Sequence, residues 1–290
     1  MSAYDLLIAP FADYGFMRRA LIACLCLALG SGPIGVFLML RRMSLMGDAM
    51  SHAVLPGAAI GYLVAGSLSL TAMGIGGLVA GLSVALLSGI VSRATVLQED
   101  ASFASFYLTS LALGVLIVSL RGSNIDLLHV LFGTILAIDG PALILIGSIT
   151  SVTLIALALV YRPLVAECFD PGFLRTVGGR GPVYHALFLL LVVLNMVASF
   201  QALGTLMAVG LMMLPAAVAQ LWGRSLTAMI ALAAGTAAVS GYVGLVASYH
   251  LELASGPTII MTAAVIYGLS ILFSPSGFAR RLFPSPHLKG

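Results

Sequence analysis

Asp48 and His52 stand four residues apart, and from Ala49 to Ser92 His52 is the only ionisable residue. On an α-helix, positions i and i+4 share one face with Cβ atoms about 6 Å apart, so a carboxylate and an imidazole at that spacing converge on one divalent cation. Oxygen from Asp48 and nitrogen from His52 suit Zn(II), Mn(II) or Fe(II) and do not choose among them. Ionisable groups within apolar spans are costly to insert and by default line pathways. Two simpler uses compete. Asp48 follows Gly47 and is a candidate helix N-cap, and Arg41, seven residues back, is a candidate ion-pair partner on nearly the same helical face. Two ligands are too few for a metal, so others must come from further helices, backbone, water or a second copy of the chain. Pro56-Gly57, one turn after His52, predict a kink that frees backbone carbonyls toward the same path. Met43, Met46 and Met50 read as gap-filling core residues in a chain with 13 methionines.

Such a pair needs apolar elements around it. Hydrophobic residues make up 61% of the 290 and charged residues 8%, with a mean hydropathy of +1.14, which excludes a soluble domain with an ordinary charged surface. About 20 apolar residues cross a bilayer as a helix. Leu21 to Leu40 is one span; Ala49 to Ser92 divides at the Gly66-Ser67-Leu68-Ser69 turn signal into two. Ala101 to Leu120 and Gly140 to Tyr161 follow, Gly181 to Gly223 divides at Gln201 and Gly204, and Ser225 to Tyr249 and Leu253 to Ala279 complete the set. The expectation is an all-α polytopic membrane protein of eight to nine transmembrane helices, forming one domain over residues 1–290. The segment from Asp126 to Ala137 is too short to cross alone and predicts a re-entrant or interfacial helix.

Arg41, Arg42, Arg93, Arg162, Arg175, Arg180, Arg224, Arg280, Arg281 and Lys289 fall at alternate ends of successive spans, hence on one face. That face is predicted to be cytoplasmic, which puts the N-terminus outside and the C-terminus inside. Arg18, Arg19 and Arg121 depart from this pattern; the first two fit an interfacial N-terminal helix carrying Leu6, Leu7, Ile8 and Phe11 beside Asp5 and Asp13. No cleavable leader is expected before the first span. Cys24, Cys26 and Cys168 are badly placed for a bridge and read as packing residues. Asp126, His129, His250 and Glu252 read as solvated outer-loop residues, and His185 as interfacial. The net charge of +3 is accounted for by the cytoplasmic loops and implies no nucleic-acid partner.

The longest polar interruption, residues 162–180, has Asp170 before Pro171 as a candidate N-cap and Gly178-Gly179 as a stop. It predicts a short helix on the cytoplasmic face. Neither a phosphate-cradling Gly-x4-Gly-Lys-Ser/Thr loop nor a His-Glu-x-x-His or Gly-x-Ser-x-Gly arrangement occurs, so neither ATP binding of that kind nor hydrolytic catalysis is expected of this chain.

Five segments, in order, resemble the membrane permeases of manganese, zinc and iron ABC importers, the ABC-3 family. They are LRRMSLMGDAMSHAVLPGAAIGYL (40–63), EDASFASFYLTSLALG (99–114), IDLLHVLFGTIL (125–136), FDPGFLRTVG (169–178) and LGTLMAVGLMMLPAAVAQL (203–221). The resemblance implies a type II ABC importer-like permease in a bacterial cytoplasmic (inner) membrane, working as a homodimer with a separate ATPase and an extracytoplasmic metal-binding protein. It implies that Phe169, Asp170 and Pro171 couple to the ATPase, and that the metal at Asp48 and His52 is cargo (Zn, Mn or Fe), with no permanently bound cofactor. Two positions depart from the family pattern: His250-Leu251-Glu252 on the last outer loop, and Gly172 with Leu174 in the coupling segment. A secondary, ion-coupled metal transporter is the alternative, and it calls for more intramembrane acids than Asp48 supplies.

Overall fold

A computed structural model of the chain describes residues 3–44, 46–66, 70–121, 135–176 and 178–274. Among these residues every regular element is helical: α1 (Ala3–Leu7), α2 (Ala9–Asp13), α3 (Gly15–Leu40), α4 (Met46–Ala65), α5 (Leu70–Ala94), α6 (Glu99–Arg121), a 3-10 turn (Ile135–Ala137), α7 (Gly140–Phe169), α8 (Pro171–Thr176), α9 (Gly181–Leu203), α10 (Thr205–Trp222), α11 (Leu226–Leu251) and α12 (Ser255–Phe273). Helices are the expected outcome where no water is present to satisfy backbone N–H and C=O groups. Seven of them, α3, α5, α6, α7, α9, α11 and α12, are long and apolar enough to cross a membrane. The 20 residues of α4 and 18 of α10 run beside them, α4 carrying Asp48 and His52 in an otherwise apolar helix. The expected re-entrant segment lies mostly outside the described residues, as do Asp126 and His129.

The core forms around α3 and α9. Leu27, Ile34 and Leu38 of α3 and Leu189, Val192 and Met196 of α9 are fully or almost fully buried, whereas α6, α7 and α12 present Leu116, Ile155, Leu159, Val265 and Leu269 outward, as lipid-facing helices do. Buried polar groups staple the interior: Asn195 donates to Thr153 Oγ1 (2.7 Å) and to the Leu191 carbonyl (2.9 Å), and Thr150 donates to the Cys26 carbonyl (3.0 Å), joining α3, α7 and α9.

At the Asp139 end of the bundle, Tyr242 donates to the Leu7 carbonyl (2.9 Å) and stacks on Phe11, while His250 reaches the Leu6 carbonyl (2.8 Å). His250 is thus on the last turn of α11, pinning the N-terminal helices. It is not the solvated loop residue the sequence suggested. Tyr4, Leu6, Leu7 and Ile8 stay exposed on α1 and its exit.

The helices α4 and α5 cross through glycine. A Cβ on Gly57 would strike the Gly76 carbonyl, and one on Gly76 would strike that of Gly57, so the backbones touch as small-residue membrane crossings do. Gly76→Ala is therefore expected to destabilise the solubilised protein by about 1–3 kcal/mol. Gly147→Ala, whose Cβ would meet nothing within 4 Å, should be near neutral; equal thermal aggregation temperatures for the two variants would refute this crossing.

Candidate functional site

Asp48 and His52 lie on one face of α4. The helix begins at Met46, so Asp48 sits within the first turn and is not the N-cap. An acid there still gains from the helix dipole, by about 0.3–1 kcal/mol. Nor does Arg41 pair with it. The chain turns between α3 and α4, with Arg42 at a left-handed φ of 60°, and Arg41 points to the neighbouring helices instead. Asp48 is exposed and His52 partly buried, so the pair faces out of its own chain. No third His, Cys, Asp or Glu joins them among the described residues.

A third helix contributes a residue that spacing could not show. The ring of Tyr107, two turns into α6, stacks on His52 with centroids 6.3 Å apart and planes 26° from parallel. Ser110 of α6 donates to the Ala53 carbonyl (3.3 Å), and Gly114 packs on Pro56, holding α6 against this part of α4. The imidazole is thereby braced by a ring from α6 and stays partly exposed. Ser51 donates to the Asp48 carbonyl (2.6 Å), leaving the carboxylate oxygens for another partner.

Pro56 lies inside an unbroken α4. Lacking an N–H, it cannot donate to the carbonyl four residues earlier, which is that of His52. That carbonyl, the imidazole and the Asp48 carboxylate all belong to one helix, and oxygen and nitrogen donors of these kinds are ones that first-row divalent ions accept. Gly57 next to Pro56 is buried against Gly76, so its side of the helix is used for packing.

At the Arg41 end of the bundle, α7 ends at Phe169 and α8 starts at Pro171. Asp170 between them accepts from the Phe173 backbone N–H (2.8 Å), the N-cap that its position before proline suggested. Gly178 has a φ of 76° and terminates the segment. Phe169 and Phe173 are 66% and 59% exposed, two aromatic rings projecting beside a charged loop, while Leu174 is buried and anchors the helix. Exposed aromatic pairs on a rigid turn are typical anchors for a protein partner.

The structure adds contacts to two residues nearby. His185, near the start of α9 as its position in the span suggested, is buried among neighbouring helices. Cys168 is not only a packing residue: its sulfur accepts from Arg41 Nε (3.2 Å). Cys24, fully buried in α3, is the apolar filler expected.

The ABC 3 transport family model matches residues 13–274. The chain is 33% identical to the manganese import system permease protein ScaB of Streptococcus parasanguinis over 273 residues, covering 93% of this chain and 96% of that one. It is 35% identical to the manganese transport system membrane protein MntC of Halalkalibacterium halodurans over 276 residues, covering 95% and 93%. The structure of PsaBC from Streptococcus pneumoniae in complex with Fab superposes with a TM-score of 0.81 at 31% identity, covering 95% of this chain and 98% of that one.

Proposed function

The chain belongs to the ABC 3 transport family, and from that premise we propose that it is the pathway-forming subunit of an ATP-driven importer of a divalent transition metal ion, with Mn(II) the first choice of cargo. The observation that carries the metal reading is the Asp48/His52 pair on the open face of α4, braced by Tyr107 and set among apolar spans. Its relatives named for manganese support the choice of Mn(II), and the oxygen and nitrogen donors are compatible with it without selecting it.

The same open face argues for two copies. One chain offers two side-chain ligands and one wall, so a second copy about a twofold axis would close the path and complete coordination. Nine spanning helices, α3 to α7 and α9 to α12 without the short α8, would place the arginine-rich end and α8 in the cytoplasm and the N-terminal helices outside. ATP would be hydrolysed by a separate ATPase docked on Phe169, Asp170 and the exposed ring of Phe173, and metal delivered from outside by a binding protein.

The test is reconstitution. The chain, co-expressed with an ATPase subunit and a metal-binding protein and placed in proteoliposomes of bacterial lipid, should take up Mn(II) only when ATP is present on the ATPase side. Fe(II) and Zn(II) run in parallel would rank the cargo. The intact complex in detergent should have the mass of two copies of this chain; a stable single-copy complex with full uptake would rule out the shared pathway.

A further inference from the structure

Five helix ends meet in a partly buried charge network at the Arg41 end of the bundle, and the metal pair does not use it. Arg41, closing α3, donates from Nη1 to His185 Nδ1 of α9 (2.6 Å) and from Nε to Cys168 Sγ of α7 (3.2 Å). Its guanidinium carbon lies 4.8 Å from the ring centroid of buried Phe188, a cation–π contact in an apolar setting. His185 Nε2 is 2.7 Å from Glu99 Oε1 at the start of α6, and Arg93 of α5 pairs with Glu167 of α7 at 3.3 Å. Gly89 of α5 packs beside the imidazole, and Gly181 of α9 leaves room for the Glu167 carboxylate.

The imidazole is the pivot, and its protonation follows from its partners. A guanidinium only donates, so Nδ1 must accept and the ring proton sits on Nε2, facing the Glu99 carboxylate. That second contact is close but not aligned as a hydrogen bond: His185 Nε2, Glu99 Oε1 and Arg41 Nη2 have no aligned partner among the described residues. The Glu99 carboxylate is held on this side by the Nε2–H dipole and by the charges of Arg41 and Arg93 beyond the ring, an attraction that depends on distance more than on direction and so tolerates sliding while resisting separation.

The position of the network gives it a task. Glu167 and Cys168 immediately precede Phe169, where the proposed ATPase-coupling segment begins. Arg41 leads through a short turn into α4, which carries Asp48 and His52, and Glu99 opens α6, which carries Tyr107. We infer that His185 is a positioning residue of the coupling step, tying the end of α7 through Arg41 and Glu99 to the two helices that flank the metal pair. Motion of the coupling segment then moves α4 and α6 together as rigid rods. This inference rests on the importer reading above.

The reconstituted importer with its ATPase and binding protein provides the test, read as Mn(II) ions taken up per ATP hydrolysed, with thermal stability measured on the same samples. His185→Leu is expected to lower that ratio by about tenfold while hydrolysis stays within about twofold of wild type, the scale seen for residues that carry coupling between sites. His185→Gln should restore it, since the carboxamide offers one acceptor to Arg41 and one donor toward Glu99. Glu99→Ala, at a partly exposed side chain that leaves no sealed void, should give the same loss as His185→Leu even if the latter folds poorly. A wild-type ratio in Glu99→Ala or in folded His185→Leu would overturn the inference, as would equal losses in the Leu and Gln variants. Loss of uptake and hydrolysis in proportion would also overturn it, since that marks mere destabilisation. A wild-type complex that hydrolyses ATP without moving Mn(II) would instead remove the importer reading and this inference with it.

Discussion

Asp48→Asn and His52→Ala should each cut metal uptake by at least ~10- to 100-fold, the range already seen when only an outer-shell partner of a metal ligand is removed. The asparagine keeps the shape of the side chain and removes the anionic oxygen; the alanine removes the imidazole and its stack on Tyr107. Both side chains face out of the bundle, so neither change opens a core cavity, and the amount of folded protein should hold. The competing structural account makes a different forecast. If Asp48 merely complements the helix dipole, Asp48→Asn costs about 0.3–1 kcal/mol of stability and transport stays normal. Uptake of Mn(II) into proteoliposomes, scaled to the incorporated protein, separates the two, and normal uptake in both variants would make the pair structural. Tyr107→Leu should weaken uptake less than either, because it removes the brace and leaves both ligands.

Uncoupling is the second large effect expected. Phe169→Glu places a charge on a ring that is 66% exposed, and Asp170→Arg removes the cap on the Phe173 N–H and reverses the charge beside it. The cap loss costs about 1 kcal/mol within a six-residue helix, too little to unfold the bundle. Membrane insertion and melting temperature should therefore persist while ATPase co-purification and uptake fall together. Wild-type ATPase retention and uptake in both variants would remove the docking role from this segment. Phe173→Glu offers a control within the same surface, since its exposed ring shares that edge.

Much of this protein is legible without coordinates, because the terms that set it are local. Apolar runs become helices in a membrane whatever their neighbours, since each residue carries its own desolvation cost and its own backbone groups. The helices observed fall on the spans read from charge-free stretches, and Asp170 caps α8 because a side chain before Pro171 has only the adjoining N–H groups to reach. The i,i+4 relation of Asp48 and His52 is likewise a property of α4 alone.

Where the local argument failed, it had assumed that a helix continues. Seven residues between Arg41 and Asp48 put them on one face only if no turn intervenes. The left-handed Arg42 breaks that register and releases Arg41 to His185, 144 positions away. His185 is a single histidine in an apolar run, and nothing in its neighbours' identity says that an arginine and a glutamate from two other helices will meet it. Tyr107 and Gly76 belong to the same class, one an aromatic among apolar residues and the other one glycine of 32. The sequence by itself determined which runs become membrane helices and that Asp48 and His52 share one face of α4, because hydropathy and helical period act over a few residues. Only the tertiary structure decided which charges meet, which glycine lets two backbones touch and which ring braces His52, because those choices depend on how separate rods pack side by side.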